Sequence, residues 1–382
     1  MTTTLIPRIR RLGIFSGIHG AYVLDKDGTL LNQHRPIEGA SEFLSHLKSH
    51  NIPFVILTNT GEKTPAQVVS SLTKVLGLPE HAVEEGHIIT ARQVVLQKAH
   101  ESTCFHRMFV LGKIEDDDYE LFDWRRTVPK DASGMCLLFL SDGMIDNFVR
   151  VAECVGKWIR NGACLWASSA DDSISTASGA KRPGPGAFLA SVRCLLSSDE
   201  SLSRIHIFGK GGNHTTEMSE QVMQRLREQG FQGTPRQVLA VGDRFDCDVS
   251  FGKTAGWSTC LVETGCHQLA DAARFRKLVA DRVATSVGDL MYLEDESRPD
   301  TSAPRSLLAQ VIRTAHCVAT CIEEETRQWR QEWLETLLDR LHGLVERLDQ
   351  SARDTMTGPP QRVQSCPDLT ELPSAYRRCP SE

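Results

Sequence analysis

The chain has 382 residues, of which 40% are hydrophobic, and a net charge of −6 at pH 7. This length and composition are typical of a globular protein with two or more domains. The acidic balance argues against nucleic acid or an acidic membrane surface as a partner. The longest apolar runs, such as residues 135–140, are too short to cross a bilayer, so we also expect no membrane span.

The first 24 residues and the cysteines bear on the compartment. Arg8, Arg10 and Arg11 occur there without an acid, which is compatible with a mitochondrial presequence, although Pro7 weakens an amphipathic helix. The twelve cysteines include no Cys-x-x-Cys pair and there is no secretory signal, which is typical of reduced thiols in an intracellular protein. We therefore expect a cytoplasmic protein, with a mitochondrial one as the alternative.

Two carboxylates follow the first apolar run of the chain. Residues 21–24 suit a buried parallel strand, and Asp25 and Asp27 come directly after it. Open α/β sheets bind their ligands at this end of a strand. A calcium loop is the competing interpretation. Such a loop has its acidic or amide ligands at positions one, three and five and its glycine at position six. Here Gly28 directly follows the second acid, so the pattern is different.

Three later apolar runs also end in polar residues, which extends the pattern. A hydroxyl and an amide suit phosphoryl oxygens, a lysine supplies a positive charge, and clustered carboxylates suit a hard cation. The runs are 52–57, followed by Thr58 and Asn59; 205–208, followed by Lys210; and 237–241, followed by Asp243, Asp246 and Asp248. We predict that these strand ends meet at one site.

With these four strand ends in order, the sequence resembles the haloacid dehalogenase-like phosphatases. It is most similar to their class IIA group, which includes 4-nitrophenylphosphatase, phosphoglycolate phosphatase and pyridoxal phosphatase, over roughly the first three quarters of the chain. Segments 57–59, 242–248 and 256–265 follow that group's pattern. The resemblance implies an α/β fold with a Rossmann-like parallel-sheet core and an inserted α/β cap domain. It also implies Mg²⁺-dependent hydrolysis of a small phosphorylated metabolite through an aspartyl-phosphate.

The resemblance also implies a role for each site residue. Asp25 would be the nucleophile and Asp27 the general acid and base, while Thr58, the Asn59 backbone and Lys210 would hold the phosphoryl oxygens. The Mg²⁺ ligands would be the Asp25 carboxylate, the Asp27 main-chain carbonyl, Asp243 and Asp248, the last directly or through water.

Three positions depart from the family's pattern. Thr60 and Gly211 stand where the group has Asn and Pro, and residues 168–172 replace a Thr-Asn-x-Asp segment of the cap. The first two substitutions remove no essential charge. The third puts the family's cap contact in doubt.

The order of strands and helices predicts the domain boundaries. We expect core residues 1–102 and 205–293, with a cap at 103–204 between them and a return hinge at 183–186. A linker at 294–304 precedes a helical extension at 305–350, and residues 351–382 form a disordered tail. The extension carries an apolar stripe from Leu308 to Leu348, so it packs on the core or supports a homodimer or helix-mediated partner.

Two other functions stay open from the sequence alone. The first is a catalytically weak binding or scaffold protein that acts through the C-terminal helix, although the nucleophile and metal carboxylates are all present. The second is a phosphoprotein phosphatase or a phosphotransferase. A large cap favours small substrates over the second alternative.

Overall fold

The computed structural model describes residues 20–112, 119–143, 145–175, 181–268, 271, 275, 278, 280–293, 342, 343 and 346. The predictions for the N-terminal arginines, the linker and the tail fall outside these residues. So does the prediction of a helical extension, apart from its three described positions. Within the described part, no helix is both long and apolar enough to cross a membrane.

Strands and helices alternate along most of the described chain. The strands are β1 (Ala21–Asp25), β2 (Leu31–Asn32), β3 (Arg35–Pro36), β4 (Phe54–Thr58), β5 (Ile88–Thr90), β6 (Arg107–Gly112), β7 (Glu120–Leu121), β8 (Met135–Leu140), β9 (Cys164–Ala167), β10 (Ser173–Ser175), β11 (Lys181–Pro183), β12 (Ile205–Ile207), β13 (Val238–Gly242), β14 (Ser258–Val262) and β15 (Arg282–Ala284). The α-helices are α1 (Ala40–Ser49), α2 (Pro65–Leu76), α3 (Ala91–Glu101), α4 (Phe148–Arg160), α5 (Pro185–Cys194), α6 (Asp199–Leu202), α7 (Thr216–Glu228) and α8 (Ser250–Thr254).

The first sheet has six parallel strands in the order β15-β14-β13-β1-β4-β5. Strands β1, β4 and β13 are buried along their whole length, as expected for strands covered on both faces. The chain proceeds from β1 to β4 and β5 on one side, and it later adds β13 to β15 on the other. Ligands bind at the carboxyl ends of strands at such a switch point, and Asp25 is the last residue of β1.

The second sheet has five parallel strands in the order β12-β9-β8-β6-β7. Strand β12, which we predicted as part of the second core segment, pairs with β9 through Ile205 and Leu165. The strand that follows the predicted boundary at residue 204 thus belongs to the second sheet. A short apolar run fits the edge of either sheet, so its sequence does not tell which sheet it joins.

Three apolar clusters hold these layers together. Helices α1 and α2 cover one face of the first sheet with side chains such as Phe43 and Leu72. A second cluster includes β1, α3, α7 and the inner face of the second sheet, where it includes Leu138. Helices α4 and α5 cover the outer face of that sheet with Trp158 and Phe188. The predicted α/β architecture with an inserted α/β unit is confirmed.

Proline positions mark the starts of two helices. Thr64 caps α2 by accepting a hydrogen bond from the Gln67 amide, and Pro65 lies in the first helical turn. Pro185 has the same place at the start of α5. Residues 183–186 therefore join a strand to a helix inside the insertion, and the prediction of a return hinge there is wrong.

Candidate active site

Asp25 and Lys210 meet at the centre of the site. Asp25 is buried at the end of β1, and Lys210 follows β12, so the two sheets each contribute one partner. The Lys210 ammonium contacts Asp25 Oδ1 and also donates to Asp248 Oδ1 at 2.7 Å. All three side chains are about nine-tenths buried or more. The Lys210 ammonium is therefore paired with two carboxylates that have little contact with water.

Two further carboxylates come from the loop after β13. Asp243 follows the strand directly, and Asp248 lies in a one-turn π-helix, Phe245–Val249. Main-chain amides orient both, because Cys266 N donates to Asp243 Oδ2 at 2.5 Å and Arg244 N donates to Asp248 Oδ2 at 3.0 Å. The structure thus brings both acids close to Asp25.

The negative charge in this cluster exceeds the positive charge. Burial raises the pKa of the Asp25 carboxyl well above its usual range, because Lys210 offsets only part of the cost and the nearby carboxylates add to it. Burial together with Asp248 raises the pKa of Asp243 to about 7. Burial acts to lower the pKa of Lys210, but Asp248 and Asp25 outweigh it and the pKa is raised. One ammonium therefore faces three carboxylates.

The acidic cluster fits a divalent cation. Oxygens of Asp25, Asp243 and Asp248 all lie within 4.8 Å of one another, and all three residues are buried. Mg²⁺ binds carboxylate oxygens at about 2.1 Å, so oxygens this close can share one ion. The uncompensated charge described above is what such an ion would neutralise. The donor set and its electrostatics are therefore compatible with the predicted Mg²⁺.

The turn after β1 separates Asp27 from the buried cluster. Asp27 is exposed, and its carboxylate lies 2.5 Å from the Lys26 ammonium. Gly28 has a φ of 88°, and a Cβ at this position would lie 2.2 Å from Asp243 Oδ2. Only glycine permits this turn, which leaves Asp27 on the wall of the cavity and in contact with water.

Thr58 and Asn59 lie at the end of β4, next to the end of β1. Thr58 is buried beside the cavity, while the Asn59 side chain turns towards the lysine loop. Asn59 Oδ1 accepts from Lys210 N at 2.8 Å, and Asn59 Nδ2 donates to Lys210 O at 3.1 Å. The Asn59 amide group therefore fixes the backbone of Lys210, a contact that the sequence did not predict.

Asp171 links the insertion to the core. Its Oδ1 accepts from Cys247 Sγ at 3.0 Å and from Asn59 Nδ2 at 3.3 Å. Next to it, the Arg244 guanidinium pairs with both carboxylate oxygens of Asp246 and donates to Ser173 O at 3.2 Å. The segment that departs from the family's Thr-Asn-x-Asp pattern therefore still brings a carboxylate to this interface.

Asp142 makes a second link between the same two regions. It follows β8, and its carboxylate accepts hydrogen bonds from Thr60 Oγ1 and from the main-chain amides of Gly61 and Glu62. Burial raises the pKa of this carboxyl, although the donors of Thr60 and Gly61 act in the opposite direction. The hydroxyl of Thr60, at the position where the family has Asn, is thus used to hold the inserted sheet.

The cavity at this edge has a volume of about 420 Å³. It contains every residue that we predicted for the site, so the strand ends do meet as expected, although their individual roles stay predictions. Asp142, Asp171, Arg244 and Cys247 line or support it without a predicted role. The rule that polar residues follow parallel strands could have found Asp142, which comes two residues after β8.

Comparisons with known proteins agree with this geometry. A family model described as haloacid dehalogenase-like hydrolase matches residues 22–121, and a second one, described as HAD-hydrolase-like, matches residues 211–290. In these two segments the chain is similar to haloacid dehalogenase-like hydrolases.

Relatives of this family resemble the chain over most of their own length. The 5'-nucleotidase YutF of Bacillus subtilis is 28% identical over 64% of this chain and 87% of its own. The dihydroxyacetone phosphatase of Corynebacterium glutamicum is 26% identical over 72% of this chain and 92% of its own. The structural match with a 4-nitrophenylphosphatase from Thermotoga maritima covers 74% of this chain and 99% of that one. The TM-score is 0.56 and the sequence identity is 22%. That likeness establishes the fold.

Proposed function

We propose that this protein is a Mg²⁺-dependent phosphatase that cleaves a small phosphomonoester through an aspartyl-phosphate on Asp25. The observation that carries the proposal is the position of Asp25: it is buried at the switch point of the first sheet and in contact with the Lys210 ammonium. A carboxylate in this place lines the cavity and can reach a phosphoryl group that enters it. Positioning and charge compensation account for most of the catalysis of phosphoryl transfer.

In the first step, an Asp25 carboxylate oxygen attacks phosphorus and the bond to the leaving-group oxygen breaks. The proton that the departing alkoxide needs comes from Asp27, which is exposed to the cavity rather than buried with the other acids. Lys210 and the end of β4 at Thr58 and Asn59 hold the phosphoryl oxygens while their charge is redistributed.

In the second step, water attacks the phosphorus of the aspartyl-phosphate and the bond to Asp25 breaks. Asp27 is now ionised, and it accepts a proton from this water. Phosphate is released and Asp25 is a free carboxylate again. The same exposed carboxylate thus serves both steps, which explains why the turn at Gly28 keeps it away from the buried cluster.

Asp25, the Asp27 carbonyl, Asp243 and Asp248 would hold the proposed ion. When bound, Mg²⁺ supplies positive charge against the buried carboxylates and the phosphoryl oxygens. Amide donors from Cys266 and Arg244 keep Asp243 and Asp248 oriented for that purpose.

The insertion and the size of the cavity favour a small substrate. The names of the relatives include a nucleotidase, acid sugar phosphatases and 4-nitrophenylphosphatases. A cavity of about 420 Å³ between two sheets suits a molecule of that size better than a folded phosphoprotein. We therefore rank a phosphoprotein substrate or a purely structural role below hydrolysis of a small phosphomonoester.

Two variants test the covalent mechanism with 4-nitrophenyl phosphate and Mg²⁺. We expect Asp25→Asn to lose turnover by at least about 10³-fold, since an amide is a poor nucleophile of similar shape. Asp27→Asn keeps the nucleophile but activates water poorly, so acid-quenched samples should contain a phosphoryl adduct on the peptide with Asp25. Mass spectrometry before and after hydroxylamine treatment detects such an acyl phosphate.

The two variants are matched controls for each other, because each replaces one acid of the same turn by its amide. Circular dichroism and melting temperature should show both to be folded. Steady turnover by folded Asp25→Asn, or an adduct on another residue, would exclude Asp25 as the nucleophile. Equal activity after Mg²⁺ is replaced by EDTA would exclude the metal.

A further inference from the structure

Three cations on the cavity wall have no part in the chemistry described above. They are Lys63, Lys181 and Arg182. The other basic residues that line the cavity are already paired: Lys210 with Asp25 and Asp248, Lys26 with Asp27, and Arg244 with Asp246. Within the described residues, none of the three unassigned cations has an acidic partner. The cavity wall therefore carries three cations that form no ion pair with a described residue.

These cations come from two different parts of the fold. Lys63 lies in the loop between β4 and α2 and is half-buried. Lys181 and Arg182 lie on β11, which forms an antiparallel hairpin with β10 beside the cavity, and both are exposed. Positive charge thus reaches the cavity from two directions. One cation comes from the loop after β4, and two come from the β11 strand of the insertion.

The β11 cations form part of the cavity wall. Lys181 and Arg182 both line it, and a Cβ at Gly143 would lie 3.8 Å from a terminal nitrogen of the Arg182 guanidinium. They therefore stand close enough to the cavity to act on a bound molecule.

We propose that these three cations bind a second anionic group on the leaving-group part of the substrate. The proposal rests on the phosphatase function proposed above and narrows it to phosphomonoesters whose alcohol carries a carboxylate or a further phosphoryl group. The reacting phosphoryl group lies deeper, against Lys210, Thr58 and Asn59. The leaving-group part of the substrate would then lie beside Lys63, Lys181 and Arg182. An anionic group on that part would form the ion pairs that these cations lack.

Long-range steering is the main competing explanation, because a positive wall attracts every phosphorylated substrate. Steering and a subsite have different consequences. Steering favours any substrate with more negative charge, wherever on the substrate that charge lies, and it falls steeply with ionic strength, whereas a subsite favours only substrates that place an anion beside these cations. A comparison of substrates that differ in one charged group, repeated at low and at high ionic strength, therefore separates the two.

The test uses three aryl phosphates of similar shape with Mg²⁺. They are 4-carboxyphenyl phosphate, 4-phosphonophenyl phosphate and, as the uncharged reference, 4-carbamoylphenyl phosphate. We expect kcat/KM for at least one charged substrate to exceed that for the carboxamide by about tenfold, mainly through a lower KM, since each partly exposed ion pair contributes little by itself. The larger of the two charged effects identifies whether the subsite takes a carboxylate or a phosphoryl group.

Variants connect the preference to the residues. In the double variant Lys181→Gln with Arg182→Gln, and separately in Lys63→Gln, the ratio of charged to uncharged kcat/KM should fall towards one. Lys157→Gln is the matched control, because Lys157 is an exposed lysine on the outer helix α4 of the insertion. That variant should keep both the ratio and the activity of the unmodified protein.

The outcomes separate this inference from the proposed function. Failure to hydrolyse any of the three phosphates would overturn the phosphatase mechanism itself, and the subsite would fall with it. Hydrolysis of all three at equal kcat/KM would leave the mechanism standing and overturn the subsite. A preference for the charged substrates that survives in all the variants would also overturn it, because other residues would then be responsible.

Discussion

The two walls of the cavity use carboxylates in different ways. Asp25, Asp243 and Asp248 on the first sheet lie together with Lys210 in a buried group, which we call the charge cluster. Asp142 and Asp171 of the insertion are only partly buried, and each accepts hydrogen bonds from residues at the end of β4. We call this second pair the cap contacts. The charge cluster contains more negative charge than it can neutralise, whereas the cap contacts are matched to donors.

The difference indicates that the two walls have different functions. A group with uncompensated buried charge is suited to bind an ion and to attack phosphorus, but it is costly for stability. A carboxylate satisfied by hydroxyl and amide donors is suited to fix the relative position of two elements. We therefore expect changes in the charge cluster to affect the chemistry most, and changes in the cap contacts to affect binding and positioning.

The largest effect is expected for Lys210→Met, which removes the cation of the charge cluster at similar volume. Turnover should fall by about 10³-fold, because a phosphoryl group would meet three carboxylates without the ammonium. In EDTA the variant should also be less stable by about 3 kcal/mol, as breaking a buried ion pair leaves uncompensated charge. Kinetics with Mg²⁺ and urea unfolding in EDTA measure both effects. Unchanged stability would mean that the carboxylates take up protons instead of remaining charged.

A smaller effect is expected for Asp27→Asn, the acid outside the charge cluster. Hydrolysis of an alkyl phosphate should fall by about 10²-fold more than formation of the aspartyl-phosphate from 4-nitrophenyl phosphate, whose leaving group hardly needs a proton. Single-turnover measurements of leaving-group release isolate this step. Equal losses on both substrates would contradict the assignment of Asp27 as the general acid.

For the cap contacts, Asp142→Ala should act mainly on binding. The variant leaves Thr60 Oγ1 and the amides of Gly61 and Glu62 without their acceptor, so kcat/KM should fall by about tenfold, mainly through KM. Glu153→Gln, which removes an exposed charge on α4, is the control and should have no effect. A loss in kcat alone, with KM unchanged, would place Asp142 in the chemistry and remove the contrast between the two walls.

The smallest effect concerns pH and melting temperature. The folded pKa of Asp243 is raised to about 7, above its unfolded value of 3.8. Its contribution to stability is therefore complete below the unfolded pKa and is lost as pH rises through about 7. We expect Mg²⁺, which binds the ionised form, to raise the melting temperature by about 3 °C more at pH 8 than at pH 5.5.

Asp243→Asn is the control for this pH effect, because an amide does not titrate. Calorimetry at both pH values, with Mg²⁺ and with EDTA, gives the comparison. A variant that keeps the full difference between pH 8 and pH 5.5 would assign the effect to other groups of the cluster.

The charge cluster could be predicted from the sequence, because each of its residues is marked by its immediate neighbours in the chain. Each of its residues follows an apolar run and therefore a strand end, and parallel strands bring such ends to one edge. The cap contacts could not be predicted in the same way. Asp171 and Asp142 find their partners at positions 59–62, more than 80 residues away in most of these contacts, and nothing in the local pattern states that pairing.

Local sequence was also insufficient to predict the pairing of one strand, β12. The α/β class was predicted correctly, because burial on both faces leaves continuous apolar runs. The sheet to which β12 belongs could not be predicted, because its pairing with β9 depends on which edge is free in three dimensions. The prediction of a hinge at residues 183–186 was wrong because Pro and Gly mark helix starts as well as loops.

The pairing of β12 with β9 has a consequence for engineering. The strand that delivers Lys210 to Asp25 is an edge strand of the inserted sheet, and Asn59 of the first sheet holds the lysine loop from the other side. The insertion is therefore not an exchangeable module. A chimaera joined at residues 103 and 204 would keep Lys210 but would remove β9, the strand that aligns it. Recombination among relatives should instead exchange residues through the lysine loop as one unit.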